Sequence, residues 1–243
     1  MKRRELLLYG LGLAALRAEA LGDMLRVASI QHDVEAWIAL QVLAAIYQRA
    51  GLRMEPVMVP PVRASVSIAT GDADAELMRP LSYASDHPEL LRVPTPFYRV
   101  YVHAYWLPGQ DITINSTADL HRYSVGIVRG LASARDVAAS APGFTPIYAV
   151  NHEQLCRMLR AGHVQVAMDT RLRMQHMLHE QGLDAAHSSP ELARFDLYHW
   201  LGKRFAADVP RIDAAIRAFG PAELERMALQ GLETAKKMKP GEF

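Results

Sequence analysis

Ala69-Thr70-Gly71-Asp72-Ala73-Asp74-Ala75-Glu76-Leu77 and Leu159-Arg160-Ala161-Gly162-His163-Val164-Gln165-Val166-Ala167 are two settings of one pattern. In each, a helical segment stops at a glycine, two residues intervene, and an apolar strand follows. Two β/α lobes with similar internal wiring produce such an echo. Helix-glycine-strand is also a common local sequence, so coincidence is the competing account.

The flanks decide how far the pattern extends. Leu25-Arg26-Val27-Ala28-Ser29-Ile30 reads as a short strand, and Asp33 can cap a helix after it by accepting an amide hydrogen bond. Val34, Trp37, Ile38, Gln41, Val42, Ala45 and Ile46 form a mostly apolar helical stripe, and Gly51 stops it. Leu52 to Val59 is a second strand, so the opening is a β-α-β unit. Arg63 to Ala69 is expected as a helix, Ala73 to Met78 as a strand, and Tyr98 to Leu107 as a strand-rich stretch. A second series follows: a strand at Tyr123 to Val128, a helix from Ser133 to Ala139, and an extended Thr145 to Val150. Next come a helix at Glu153 to Ala161 capped by Asn151, and a strand at Val164 to Met168. The tail carries helices at Val209 to Phe219 and Pro221 to Lys236.

The chain has 243 residues, enough for one large domain or two small lobes. Its 27 Lys plus Arg balance 26 Asp plus Glu, which leaves no electrostatic footprint for nucleic acid. Lys2-Arg3-Arg4, an apolar run from Leu6 to Leu16 and Ala18-Glu19-Ala20 read as a cleaved secretory signal over residues 1–20. The paired Arg3-Arg4 also permits a twin-arginine route. The single cysteine, Cys156, lies far from any cleavage site and forms no intrachain disulfide. A soluble, periplasmic monomer is expected.

In its order of motifs the chain resembles the bacterial extracellular solute-binding proteins of family 3, which have the type II periplasmic binding-protein fold. The resemblance rests on Leu25-Arg26-Val27, Gly71-Asp72-Ala73-Asp74, Thr95-Pro96-Phe97-Tyr98, Val125 to Gly130, Leu159 to Asp169, and Gly202-Lys203. Glu76-Leu77-Met78-Arg79, followed by Pro88 to Pro94, is similar to a divergent branch. The resemblance implies an α/β fold of two lobes, each a mixed, mostly parallel sheet flanked by helices and joined by hinge strands. Lobe 1 would comprise residues 21–105 and 196–243, and lobe 2 residues 106–195. A ligand would lie between them, at the carboxyl ends of parallel strands. The family's aromatic, glycine-containing loop after the first strand is replaced by Ile30-Gln31-His32-Asp33, and its Gly-Thr turn by Gly130-Leu131.

Candidate ligand contacts follow from these positions. Arg79 can hold a carboxylate through paired hydrogen bonds, or else pair with Glu76 or Asp86. Ser133 and the amides around Gly130, next to Arg129, lie at an expected helix start, which suits either an anion or plain capping. Asp169 ends a strand and can accept from an amine or cap the following helix. Tyr98 can line the pocket or serve the core, as can Tyr105 and Trp106. His176 and His179 are expected as exposed polar residues rather than metal ligands. No cofactor or metal is implied.

The expected function is capture of a small polar molecule, amino-acid or organic-acid-like, for an ABC transporter or sensor. A dehydratase-like enzyme on the same scaffold would need a carboxylate with a shifted pKa, Glu76 or Asp74. A third reading is a scaffold with a degraded pocket that acts through protein contacts, to which the missing aromatic loop lends weight.

Overall fold

The opening β-α-β unit forms where its pattern places it. The computed structural model describes residues 24–60, 63, 66–129, 136–139, 141 and 143–238. Residues 1–20, Gly130, Ser133 and parts of the helices expected near 63–69 and 133–139 lie outside these. Strand β1 (Leu25–Ile30) leads to helix α1 (Val34–Ala50) and strand β2 (Met54–Val59). The turn between β1 and α1 is tight: His32 adopts φ +55°, and Asp33 Oδ1 accepts from the Ala36 amide at 2.9 Å. Full burial of Ile38, Val42, Leu43 and Ile46 ties α1 to the sheet, each side chain worth about 1.5–3 kcal/mol.

Further along come β3 (Ala75–Pro80), β4 (Leu90–Arg92), β5 (Tyr98–Trp106), β6 (Val125–Val128) and β7 (Ile147–Ala149). Helix α2 (His152–Arg160), β8 (Val166–Thr170), α3 (Arg171–Glu180), β9 (His187–Ser188) and β10 (Ala193–Gly202) follow. Helices α4 (Val209–Phe219) and α5 (Pro221–Ala235) complete the order. The strands form one path, β2-β1-β3-β10-β5-β8-β6-β7, with β4 on β10 and β9 on β5. Its outer triplets, β2-β1-β3 and β7-β6-β8, are parallel. The two middle strands run antiparallel and change partner midway. β10 pairs with β5 at Ala193 and with β3 at Leu201, while β5 pairs with β10 at Tyr98 and with β8 at Tyr105. They are the two strands that cross between lobes.

The core divides accordingly. One cluster gathers Leu25, Val27, Ile38, Leu43, Ile212, Ile216 and Leu232 around α1, α4 and α5. The second lobe has a cluster on each sheet face, because neighbouring strand residues point to opposite sides. Ile127 and Met168 belong to one, Val128 and Ala167 to the other.

The sequence echo is a structural repeat. Gly71 and Gly162 have φ of +79° and +72°, which suits glycine. The amides of Ala73 and Val164 both reach back six residues, to the carbonyls of Ser67 and Met158. Asp74 exchanges bonds with Arg26: its amide donates to the Arg26 carbonyl, and its carboxylate accepts from the Arg26 amide at 2.9 Å. Gln165 does the same with Ser124, its Oε1 accepting from the Ser124 amide at 3.0 Å. Thus β3 and β8 enter their sheets by one device and hold equivalent places beside β1 and β6.

Candidate functional site

A cavity of about 180 Å³ opens at the carboxyl ends of β1 and β3, where the start of α3 faces them. From β1 and α1 it is lined by Ser29, Ile30, Glu35 and Ala36, and from β3 by Glu76, Met78 and Arg79. Thr170 and Arg173 close it from the other side, with Asp136, Phe195 and Leu197.

Glu76 is 2% exposed, and Arg79 Nη2 lies 3.2 Å from its Oε2. Burial pushes the Glu76 carboxyl up to about 7, against the pull of Arg79. The guanidinium of Arg79 also lies 5.4 Å above the Tyr83 ring. Behind Glu76, His199 is fully buried on β10 and pulled down to about 4 by burial, so it is neutral near pH 7. Its Nδ1 therefore donates to the Glu76 carbonyl at 2.8 Å, and its Nε2 accepts from the Tyr47 hydroxyl at 2.7 Å. Trp200 Nε1 donates to the Arg79 carbonyl at 3.2 Å. The strand that presents Glu76 and Arg79 is thus held from behind by polar side chains.

On the opposite wall, Arg173 stands among three carboxylates. Its Nη2 lies 3.0 Å from Asp33 and 3.1 Å from Glu35, and its Nη1 3.2 Å from Asp169. Burial opposes the Arg173 charge, yet these carboxylates raise its pKa above the ordinary value. Glu35 is pushed up to about 7 by burial, although Arg173 and a 2.6 Å bond from the Thr170 hydroxyl favour its charge. Asp169 is fully buried, which would raise its pKa, but Arg173 and His152 hold it below the usual range. His152 Nε2 lies 2.7 Å from its Oδ2. One guanidinium therefore joins the start of α1 in the first lobe to β8 and α3 in the second.

Of the residues expected at the site, Arg79 and Glu76 line the cavity together. Asp169 lies behind Thr170 and Arg173, orienting them, and neither lines the cavity nor caps α3. Tyr98 is elsewhere. It is 4% exposed and lines a separate groove of about 710 Å³ with Pro96, Ile216, Pro221 and Leu224. Arg129 lines neither space and stacks over Tyr148 at 4.6 Å. Tyr105 and Trp106 belong to the second lobe's cores. Ser133 lies outside the described residues. His176 departs from its expected exposure: it is 1% exposed, beside Glu180, because the inner face of α3 carries it into the packing. Ser29, Glu35, Thr170, Arg173 and His199 were not expected at the site. The Asp169-Arg173 spacing of four was the one local signal, since an acid just ahead of a helix lies within reach of a side chain in its first turn. Among the described residues, no group of three or more His, Cys, Asp or Glu side chains could hold a metal ion. None of the described helices is long and apolar enough to cross a membrane.

No family model matches the sequence, and no curated protein matches it either. Solved structures do match in fold. A histidine kinase sensor domain similar to periplasmic binding proteins gives a TM-score of 0.68 at 14% identity, over 86% of this chain and 96% of that one. The amino acid ABC transporter substrate-binding protein AbpA from Streptococcus pneumoniae, bound to L-arginine, gives 0.67 at 14%, over 89% and 97%. The Bordetella pertussis BvgS periplasmic VFT2 domain gives 0.64 at 16%, over 85% and 92%. At these identities the likeness is one of fold, and the chain has the two-lobed fold of the periplasmic binding proteins.

Proposed function

We propose that this chain is an exported, periplasmic solute-binding protein of the family-3 type. It captures a small polar molecule, amino-acid or organic-acid-like, between its lobes and presents it to a membrane transporter or sensor. The observation that carries this reading is the cavity where Glu76 and Arg79 of the first lobe face Thr170 and Arg173 across the cleft. Its volume, about 180 Å³, is near the roughly 150 Å³ that accepts benzene and below the ~300 Å³ where drug-sized pockets begin. That size suits a compact metabolite. The arginine-bound transporter component and the kinase sensor domain among its structural neighbours support the two kinds of partner. In this reading residues 1–20 are the export signal and the mature protein acts as a monomer without a cofactor. Residues 21–105 and 196–243 form one lobe and 106–195 the other.

Thermal unfolding against amino acids, organic acids and polyamines tests the proposal. A ligand that binds only the folded state at a hundredfold excess over its Kd adds about 2.7 kcal/mol. The midpoint should rise with one class of compound, and Arg79→Ala should shrink the rise for ligands that carry a carboxylate. No shift with any compound would remove the receptor reading and favour a protein-contact role. One observation favours a second reading: a Glu76 carboxyl near 7 suits proton transfer in a dehydratase-like reaction. Conversion of a bound compound, followed by NMR over hours, would mark the chain as an enzyme.

A further inference from the structure

The charges around the cavity are unequal. Among the described residues, Glu35 and Glu76 line it against Arg79 and Arg173, and Asp33 and Asp169 stand directly behind. A guanidinium has five N–H donors. Arg173 Nη1 donates to Asp169 and Thr170 and Nη2 to Asp33, and Nη2 also lies 3.1 Å from Glu35. Its fork is therefore closed to the two-point grip that a ligand carboxylate would need. Arg79 remains available, but it already neutralises Glu76. Ser29 gives an independent sign of a missing partner. It lines the cavity at 2% exposure, and its hydroxyl has no hydrogen-bond partner among the described residues.

Resting on the solute-binding reading above, we infer that the cleft selects for a primary ammonium group, which donates to Glu76, Glu35 and the Ser29 hydroxyl. An ammonium has three N–H donors and no acceptor, which suits two carboxylates and a hydroxyl. A compound offering only a carboxylate would meet an excess of like charge and one arginine, Arg79, already paired with Glu76. Asp169, the remaining deeply buried acid, is occupied by Arg173 and His152, so the acceptors for a cation lie at the β1–β3 end of the cleft. Glu76 faces Arg79 and Tyr83; Glu35 faces Asp33, Tyr98, Asp169, Thr170 and Arg173. Both carboxyls lie near 7, so a cation must bind their ionised forms. Its affinity should rise as pH increases from 6 to 8 and level off above.

Calorimetric titration with matched compounds tests this: amino acids, the 2-hydroxy acids that replace the amine, and the amines left by decarboxylation. The expected result is binding by ammonium-bearing members, at least ~10-fold tighter than by the matching hydroxy acids. Glu76→Gln, nearly isosteric, should weaken that binding ~10–100-fold and flatten its pH dependence, while the unliganded melting midpoint does not fall. Glu35→Gln serves as a second variant. Hydroxy acids binding as tightly as amino acids would overturn the ammonium assignment and leave the receptor standing. So would unchanged amine binding in both variants. Absence of binding by every compound would overturn both.

Discussion

Arg173 has three carboxylates to satisfy, and removing it would leave Asp33, Glu35 and Asp169 facing one another in a buried space. Breaking a buried charge cluster by deleting one partner costs about 3–5 kcal/mol, because the stranded charges stay desolvated. Arg173→Ala should therefore lower stability by about that amount in urea unfolding. The loss should be smaller at pH 6 than at pH 8, where the Glu35 carboxyl, already near 7, must stay ionised. Arg173→Lys should fall between, since it restores charge without the planar fork. Arg129→Ala is the control. Its side chain is exposed and stacked on Tyr148, so a change within ~0.5 kcal/mol is expected. Apart from the Asp169 spacing, nothing around Arg173 in the sequence announces this role. Its partners Asp33 and Glu35 lie some 140 residues upstream, where they look like an ordinary helix cap and a favourable first-turn acid.

At the scale of elements, the repeat makes a sharper claim than resemblance does. Gly71 and Gly162 both adopt positive φ, and a methyl group at either would meet nothing within 4 Å. Alanine there adds backbone strain without a clash, at about 1–2 kcal/mol. Gly71→Ala and Gly162→Ala should therefore destabilise by similar amounts, within ~0.5 kcal/mol of each other, in chemical unfolding. A large disparity would show that the two segments share a sequence pattern but not a structural duty. Much of the fold was legible from such patterns, because caps, glycine stops and apolar stripes act within a few residues. Asp33, Gly51 and Asn151 end or begin helices where expected, and β5, α4 and α5 fall within two residues of their expected limits. The site was less legible. Glu76 and Arg79 stand on a strand whose position the repeat fixes, so local reasoning reached them. His199 lies in a run with Trp200 and Leu201 that reads as plain strand, and its duty depends on Tyr47 reaching it from α1.

For the whole molecule, these buried groups set the dependence of stability on pH. Glu35 and Glu76 have folded values near 7 against about 4.5 unfolded, so between those limits the native state binds protons that the unfolded chain does not. That part of stability grows as pH falls. His199 works in the opposite sense: about 4 folded against 6.5 unfolded, its contribution is present above 6.5 and lost as pH drops through 4. Two acids outweigh one histidine, and near pH 5.5 the native state keeps roughly one extra proton. Stability should then rise by about 1 kcal/mol per unit as pH falls from 7 to 5.5. Below the usual carboxylate range it should collapse, because Asp74 and Asp169, both held low, must protonate against their ion pairs. Urea midpoints measured from pH 4 to 8 give this curve directly. In Glu35→Gln/Glu76→Gln the two opposing acids are gone and His199 remains, so the slope between 7 and 5.5 should reverse sign. A wild-type curve that already falls with acid over that range would mean these carboxyls are ionised in the unliganded fold. The unliganded protein and its ammonium complex should then show no difference in proton uptake. A rising curve, with binding that tightens towards alkaline pH, would locate the same two protons in both equilibria.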